Sequence, residues 1–87
     1  MKSPNLVSDL ARHITLRQLQ VFESVARNSS FTRASEELFL AQPTVSMQIK
    51  KLADTVGLPL FEQRGIRIHL TEAGNEVYTI CQEIFDN

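Results

Sequence analysis

The sequence predicts a small, mainly α-helical domain with one short β-hairpin inserted before its last helix. Three observations predict it. Apolar residues recur at helical spacing in four segments, most cleanly at Val45, Ile49, Leu52 and Val56, at intervals of four, three and four. Gly57 and Pro59 interrupt that pattern, and two short strand-like stretches follow, Leu60-Phe61-Glu62-Gln63 and the alternating Ile66-Arg67-Ile68-His69-Leu70, with Arg64-Gly65 between. Finally, 87 residues with 43% hydrophobic and 22% charged content suit one globular unit with a modest core and no space for an enclosed pocket.

Residues 1–14 have no sustained period and read as a loosely held tail. Thr15 and Gln18 have the spacing of a capping box that opens a first helix, with Leu16, Leu19, Phe22, Val25 and Ala26 as its buried stripe. Asn28-Ser29-Ser30 closes it, and Ser30 is placed to cap a second helix from Phe31 to about Phe39. In that helix Phe31, Ala34 and Leu38 face inward, while Arg33, Glu36 and Glu37 face water. Leu40 and Ala41 leave only a tight connection to the third helix, residues 42–56. Two short helices joined so closely, each apolar on one side, form a helix-turn-helix.

The third helix has Pro43 in its first turn, where a fixed φ and a missing N–H cost nothing. Pro43, Met47, Lys50 and Asp54 point away from its apolar stripe, with Ser46 and Lys51 at the flanks. Apart from Asp54, no carboxylate occurs between Gln42 and Glu62. Small hydroxyls and amides in the first turns, with lysines further on, suit a helix that enters a DNA major groove and bonds to base edges. An ordinary solvated face would look similar, so the neighbouring elements decide.

The two strand-like stretches form a two-stranded wing, with Leu60, Phe61, Ile68 and Leu70 available to pack it on the helices. Thr71, with Glu72 in the first turn, caps a fourth helix over the remaining residues. Leu70, Ala73, Val77, Ile80 and Ile84 are spaced three, four, three and four, an a/d seam that Cys81 and Phe85 widen. The seam predicts a dimer interface of Ala73, Val77, Ile80, Cys81 and Ile84. It runs on without a C-cap, as the start of a longer linker helix would. The alternative is that this stripe only packs on its own domain.

Charge is uneven. Net charge is −1, but residues 42–69 carry four Lys/Arg against two Asp/Glu, and residues 70–87 carry four Asp/Glu and no cation. So weak a basic patch implies that DNA binding needs two copies, because phosphate affinity scales with cationic contacts. Without a long apolar run or signal-like segment, and with Cys81 as the single cysteine, a cytoplasmic location is expected and no membrane association.

Enzyme chemistry is poorly provided for. His13 and His69 stand alone in sequence, Cys81 has no CxxC partner or evident base, and no phosphate-loop or metal-ligand spacing occurs; no cofactor or metal is expected. Glu36 and Glu37 are adjacent on a helix and cannot face one catalytic point. Cys81 reads as a small apolar seam residue rather than a redox sensor. A winged-helix protein-interaction module, using the seam at 70–85 and never touching DNA, is the competing binding function.

With the elements in place, the chain resembles the N-terminal domain of LysR-type transcriptional regulators. The resemblance is carried by Leu16-Arg17-Gln18-Leu19-Gln20-Val21-Phe22, Ser30-Phe31-Thr32-Arg33-Ala34, Leu38, Gln42-Pro43-Thr44-Val45-Ser46, Leu52, Gly57, Leu60-Phe61-Glu62 and Leu70-Thr71-Glu72-Ala73-Gly74, in one collinear order. The stretch from Leu38 to Lys50 is most similar to the branch that regulates carbon fixation and inorganic-carbon uptake in cyanobacteria and plastids. The resemblance implies a winged helix-turn-helix at 15–70 and a dimerisation linker helix starting at 71–87. It also implies an effector-binding domain that is absent here, through which a small molecule would act, and a tetramer for a full-length protein. The expected target is double-stranded DNA in the nucleoid, an interrupted dyad read by a homodimer.

Carried over by position, Gln42, Pro43, Thr44, Ser46 and Met47 would reach bases. Thr32, Arg33, Lys50 and Lys51 would lie near phosphates, and the wing residues Gln63, Arg64 and Arg67 would approach the minor groove or backbone. Three departures stand out. Ala41 replaces a common Ser or Thr cap, leaving Gln42 as the substitute cap. Met47 replaces a common Arg, exchanging a bidentate guanine contact for an apolar one. Gln63 holds a place that often carries Arg, with Arg64 one residue later, which in a strand means the other face.

Overall fold

The order of elements in the computed structural model is α1 (Leu16–Asn28), α2 (Phe31–Leu38), α3 (Gln42–Val56), β1 (Phe61–Arg64), β2 (Arg67–Leu70) and α4 (Glu72–Phe85). The structure describes residues 12–85, so residues 1–11 of the tail expected at 1–14 lie outside the described residues; within the rest of it, Arg12 and His13 are helical and exposed, which corrects the expectation of an unstructured stretch there.

The capping box is present in full. Gln18 N–H donates to Thr15 Oγ1 at 3.0 Å, and the Thr15 N–H donates to Gln18 Oε1 at 3.1 Å. Folding back to make that bond buries Gln18, and it turns the buried face of α1 to Gln18, Val21, Phe22, Ser24 and Val25. The expected stripe is therefore corrected. Leu16 is 57% exposed, because nine residues at about 100° each place it opposite Val25. Val21 takes the core position instead.

Ser29, with φ 51°, ends α1, and the Ser30 hydroxyl accepts from the Arg33 N–H at 3.0 Å to start α2. Phe39 terminates α2 in the left-handed region at φ 57°, an uncommon conformation for a bulky residue. Its side chain is 93% exposed. Leu40 then returns to the interior, its N–H bonded to the Ser35 carbonyl at 3.0 Å. The α2–α3 turn is thus the three residues Phe39 to Ala41, and α2 and α3 both pack on α1.

Val45, Ile49 and Leu52 anchor α3 in the core, and Gly57 closes it at φ 89° with its N–H donating to the Ala53 carbonyl at 2.7 Å. The N-cap Ala41 supplies no side-chain bond. The expectation that Gln42 substitutes as the cap is not met: among the described residues its side chain accepts no bond from an α3 N–H, and its Nε2 instead donates to Thr32 Oγ1.

In the hairpin, Phe61 pairs with Leu70, Glu62 with His69, Gln63 with Ile68 and Arg64 with Arg67. The turn is Gly65-Ile66, not Arg64-Gly65. Gly65 takes the positive φ of 62° at the first turn position, which a turn one residue earlier would have imposed on Arg64. Ile66 consequently leaves the strand and stands 96% exposed at the tip. Leu60 is buried, and the Phe61 ring lies 5.2 Å from that of Phe22 and 5.8 Å from that of Phe31, tying the wing to α1 and α2.

Thr71 links wing to α4. Its hydroxyl donates to the Pro59 carbonyl at 2.7 Å and accepts from the Gly74 N–H at 3.0 Å. A Cβ at Gly74 would run into the Leu60 carbonyl oxygen, so only glycine allows this approach. The seam of α4 divides in two. Val77 and Cys81 belong to the domain's own core, with Ala73 half-buried beside them, while Ile80 and Ile84 are 38% and 48% exposed.

Candidate nucleic-acid interface

Because Val45, Ile49 and Leu52 fix one side of α3 against α1 and α2, helical geometry dictates what stands on the other. Pro43, Ser46, Met47, Lys50 and Lys51 are all exposed there, and Thr44 is half-buried. The N-terminal turn is open as well. Ala41 gives this start no side-chain cap, and although Pro43 lacks an N–H and the Thr44 and Val45 N–H groups bond to the Ala41 carbonyl at 3.0 and 3.1 Å, the first turn keeps the partial positive charge of a helix start.

Next to this end lies the start of α2. Thr32 and Arg33 are exposed, and Gln42 Nε2 donates to Thr32 Oγ1 at 2.6 Å, joining the two helices at the mouth of the surface. Lys50 meets Asp54 one turn on at 3.4 Å, a long and solvent-exposed pair that a competing anion can displace at little cost. Arg33 and Lys51 form no ion pair among the described residues.

The wing adds a second group of cations. Arg64 and Arg67 sit directly across from each other at the hairpin end, and Arg64 is paired with Glu62 at 2.8 Å. Like charges facing across strands repel, and an anion between them would relieve that repulsion. Gln63 is also exposed, with its amide donating to the Gly65 carbonyl at 3.3 Å. His69 is exposed opposite Glu62.

Arg27 is a cation that the surface does not use. Its guanidinium binds Glu23 at 2.8 Å and also Glu37, clamping α1 to α2. The hydrogen bonds from Glu23 and Glu37 push its pKa up. In return Arg27, with help from Asn28, holds the Glu37 carboxyl down at about 2. Burial pushes the Cys81 thiol up to about 12, reinforced by the charge of Glu23, so it is not a thiolate at neutral pH.

The residues expected from sequence therefore fall into three groups. Gln42, Pro43, Ser46 and Met47 are brought together with Thr32, Arg33, Lys50 and Lys51 on one outward surface of α2 and α3. Gln63, Arg64 and Arg67 are together on the wing. Of the seam, Val77 and Cys81 are withdrawn into the interior. Sequence reasoning missed Ile66 at the wing tip and Phe39 in the turn. Gly65 was a usable signal for the first; no glycine or asparagine marks the second.

With this geometry in view, comparison with known proteins is decisive. The profile of bacterial regulatory helix-turn-helix proteins of the lysR family matches residues 16–75. The chain belongs to the LysR family. This LysR-family domain is 61% identical over 72 residues to the RuBisCO operon transcriptional regulator of Allochromatium vinosum, covering 83% of this chain and 24% of that protein. It is 52% identical over 73 residues to the HTH-type transcriptional activator CmpR of Synechocystis sp., covering 84% and 24%. The chain thus spans about a quarter of the length of the curated relatives it matches.

Among solved structures, the BenM DBD in complex with catB site 1 DNA aligns with a TM-score of 0.80 at 32% identity, covering 85% of this chain and 83% of that one. The CbnR DBD in its DNA complex aligns at 0.77 with 29% identity, covering 84% of each chain. The winged helix-turn-helix architecture is therefore shared with domains solved on DNA. No helix of the described residues is long and apolar enough to cross a membrane.

Proposed function

We propose that this domain binds double-stranded DNA sequence-specifically and regulates transcription, with α3 in the major groove and the wing alongside the backbone or minor groove. One observation carries the reading: the outward face of α3 offers Pro43, Ser46 and Met47 around an open helix start, bordered by the cations Arg33, Lys50 and Lys51. Gln42 and Thr44 complete the base-reading set, Thr32 stands at its edge, and Gln63, Arg64 and Arg67 form the wing contact. Net charge −1 makes a single copy a weak binder. Two copies on an interrupted dyad bind far more tightly, since the second contact becomes intramolecular.

The homodimer forms through the exposed part of α4, Ile80 and Ile84, with Ala73 at its margin; Val77 and Cys81 support it only from the core. Residues 15–70 act as the DNA-binding unit and 71–87 as the start of the linker. In the whole protein a separate C-terminal domain takes a small-molecule effector, and four chains assemble. The regulator acts without chemistry of its own, in the cytoplasm on the nucleoid. Its targets are carbon-fixation or inorganic-carbon-uptake genes; the relative named for the RuBisCO operon supports the first of these. Selection of bound duplexes from random DNA tests this reading: an enriched interrupted dyad is expected, and a flat base distribution contradicts it.

A protein-interaction module remains the second reading, favoured by exposed Ile80, Ile84 and Phe85 on an acidic segment. A low-salt gel shift separates the two, because such a module shows no salt-dependent retention of DNA.

A further inference from the structure

Thr32 and Gln42 lie ten residues apart on different helices, and their side chains are bonded at the mouth of the α3 surface. The Gln42 carboxamide donates to the Thr32 hydroxyl oxygen at 2.6 Å. Both side chains are exposed, so the bond does not satisfy a buried group. Nor does it cap a helix: the α2 cap is Ser30, and Ala41 gives α3 none. The hydrogen bond that Thr32 makes with Ser35 uses its backbone carbonyl, leaving the hydroxyl to Gln42.

We infer that Thr32 is a positioning residue for base recognition, acting through Gln42 rather than by contacting the DNA backbone itself. This rests on the proposal that the α3 surface reads bases. A carboxamide has one acceptor oxygen and two N–H protons. A free Gln side chain rotates and can present donors to guanine or thymine as readily as a donor–acceptor pair to adenine. With one proton held by Thr32, the remaining N–H and Oε1 point outward in a fixed order. That pair complements adenine, whose N7 accepts and whose N6 amino group donates in the major groove. Thr32 thereby selects an A·T pair at the base facing Gln42.

A double-mutant cycle tests this, using the preferred duplex recovered by random-sequence selection with the wild-type chain. Each base pair of its half-site is then replaced in turn, and Kd values are measured by fluorescence anisotropy. Thr32→Val keeps the branched shape and removes the hydroxyl; Thr32→Ser restores the hydroxyl. The expected result is that Thr32→Val lowers discrimination at one A·T pair by roughly tenfold, that Thr32→Ser retains it, and that Thr32→Val adds nothing once Gln42 is Ala. Equal weakening on every duplex, adding in full to Gln42→Ala, would make Thr32 a phosphate contact and overturn the inference. A wild-type chain without any base preference would fail earlier, at the base-reading proposal itself. Circular dichroism melts of both Thr32 variants confirm that they are folded before the comparison is made.

Discussion

Helices α3 and α4 are both amphipathic, both end-packed on α1 or the wing, and differ in what is left over. On α3 the core takes Val45, Ile49 and Leu52, and the remainder is polar, small or cationic. On α4 the core takes Val77 and Cys81, yet Ile80, Ile84 and Phe85 stay exposed, and the polar remainder is acidic. Residues beyond what the core requires indicate the partner. A polar, cationic remainder suits a nucleic acid, and an apolar remainder on an acidic helix suits another protein chain. The segregation also explains how a domain of net charge −1 can bind DNA: its acidic surplus lies on the helix that faces away from that role.

The sharpest way to break the comparison is one substitution at two places on α4. Val77→Asp should cost at least about 3 kcal/mol, because it puts an unpaired charge into the core. Ile84→Asp, on the exposed side, should leave the stability of the dilute, monomeric chain almost unchanged, within about 0.5 kcal/mol, while shifting sedimentation of the concentrated chain towards monomer. Equal destabilisation at both sites would mean that α4 has no leftover face.

On α3, Gln42→Ala should weaken binding to the preferred duplex by about 1–3 kcal/mol and leave random DNA nearly unaffected. Parallel losses on both would show that Gln42 reads no base. Lys51→Ala should weaken both duplexes alike and reduce the slope of log K against log salt by about one. Lys50→Ala should do the same less strongly, since Asp54 already offsets part of its charge; a larger effect at Lys50 would mean that the ion pair opens fully on DNA.

The smallest effect concerns the clamp between α1 and α2 that supports the surface. Arg27 holds Glu37 well below the ordinary carboxylate value, at about 2. A depressed folded-state pKa gives stability that is present above the unfolded value, near 4.5, and lost as pH falls towards 2. The side chains are partly exposed, so solvent screening limits the contribution to about 1 kcal/mol or less. Urea titrations of wild type and Glu37→Gln should converge over that acid range. A constant gap down to pH 2 would contradict the linkage.

Much of this was legible in the sequence for identifiable physical reasons. The capping box at Thr15 and Gln18 and the stripe of α3 are local patterns, set by residues within two turns of one another. Placement was harder where the deciding contact is distant. A stripe on α4 cannot reveal which of its residues α1 will cover, so Val77 and Cys81 looked equivalent to Ile80 and Ile84. Leu16 lies off the buried face because nine residues at about 100° each set it opposite Val25, so spacing of three to the next apolar residue is not enough to share a face over the whole helix. The turn at Gly65-Ile66 follows from which residue tolerates a positive φ, a rule the alternation alone does not encode. The Thr32–Gln42 bond spans two helices and has no sequence signature.

The most direct test of the central claim is an amide NMR titration of the chain with its selected duplex, which maps contact residue by residue. The account predicts shift changes concentrated at 32–33, 42–51 and 63–67, with any change at Ile80 to Phe85 reproduced without DNA by raising the chain concentration. Changes confined to the end of α4, or none on the outward face of α3, would contradict it.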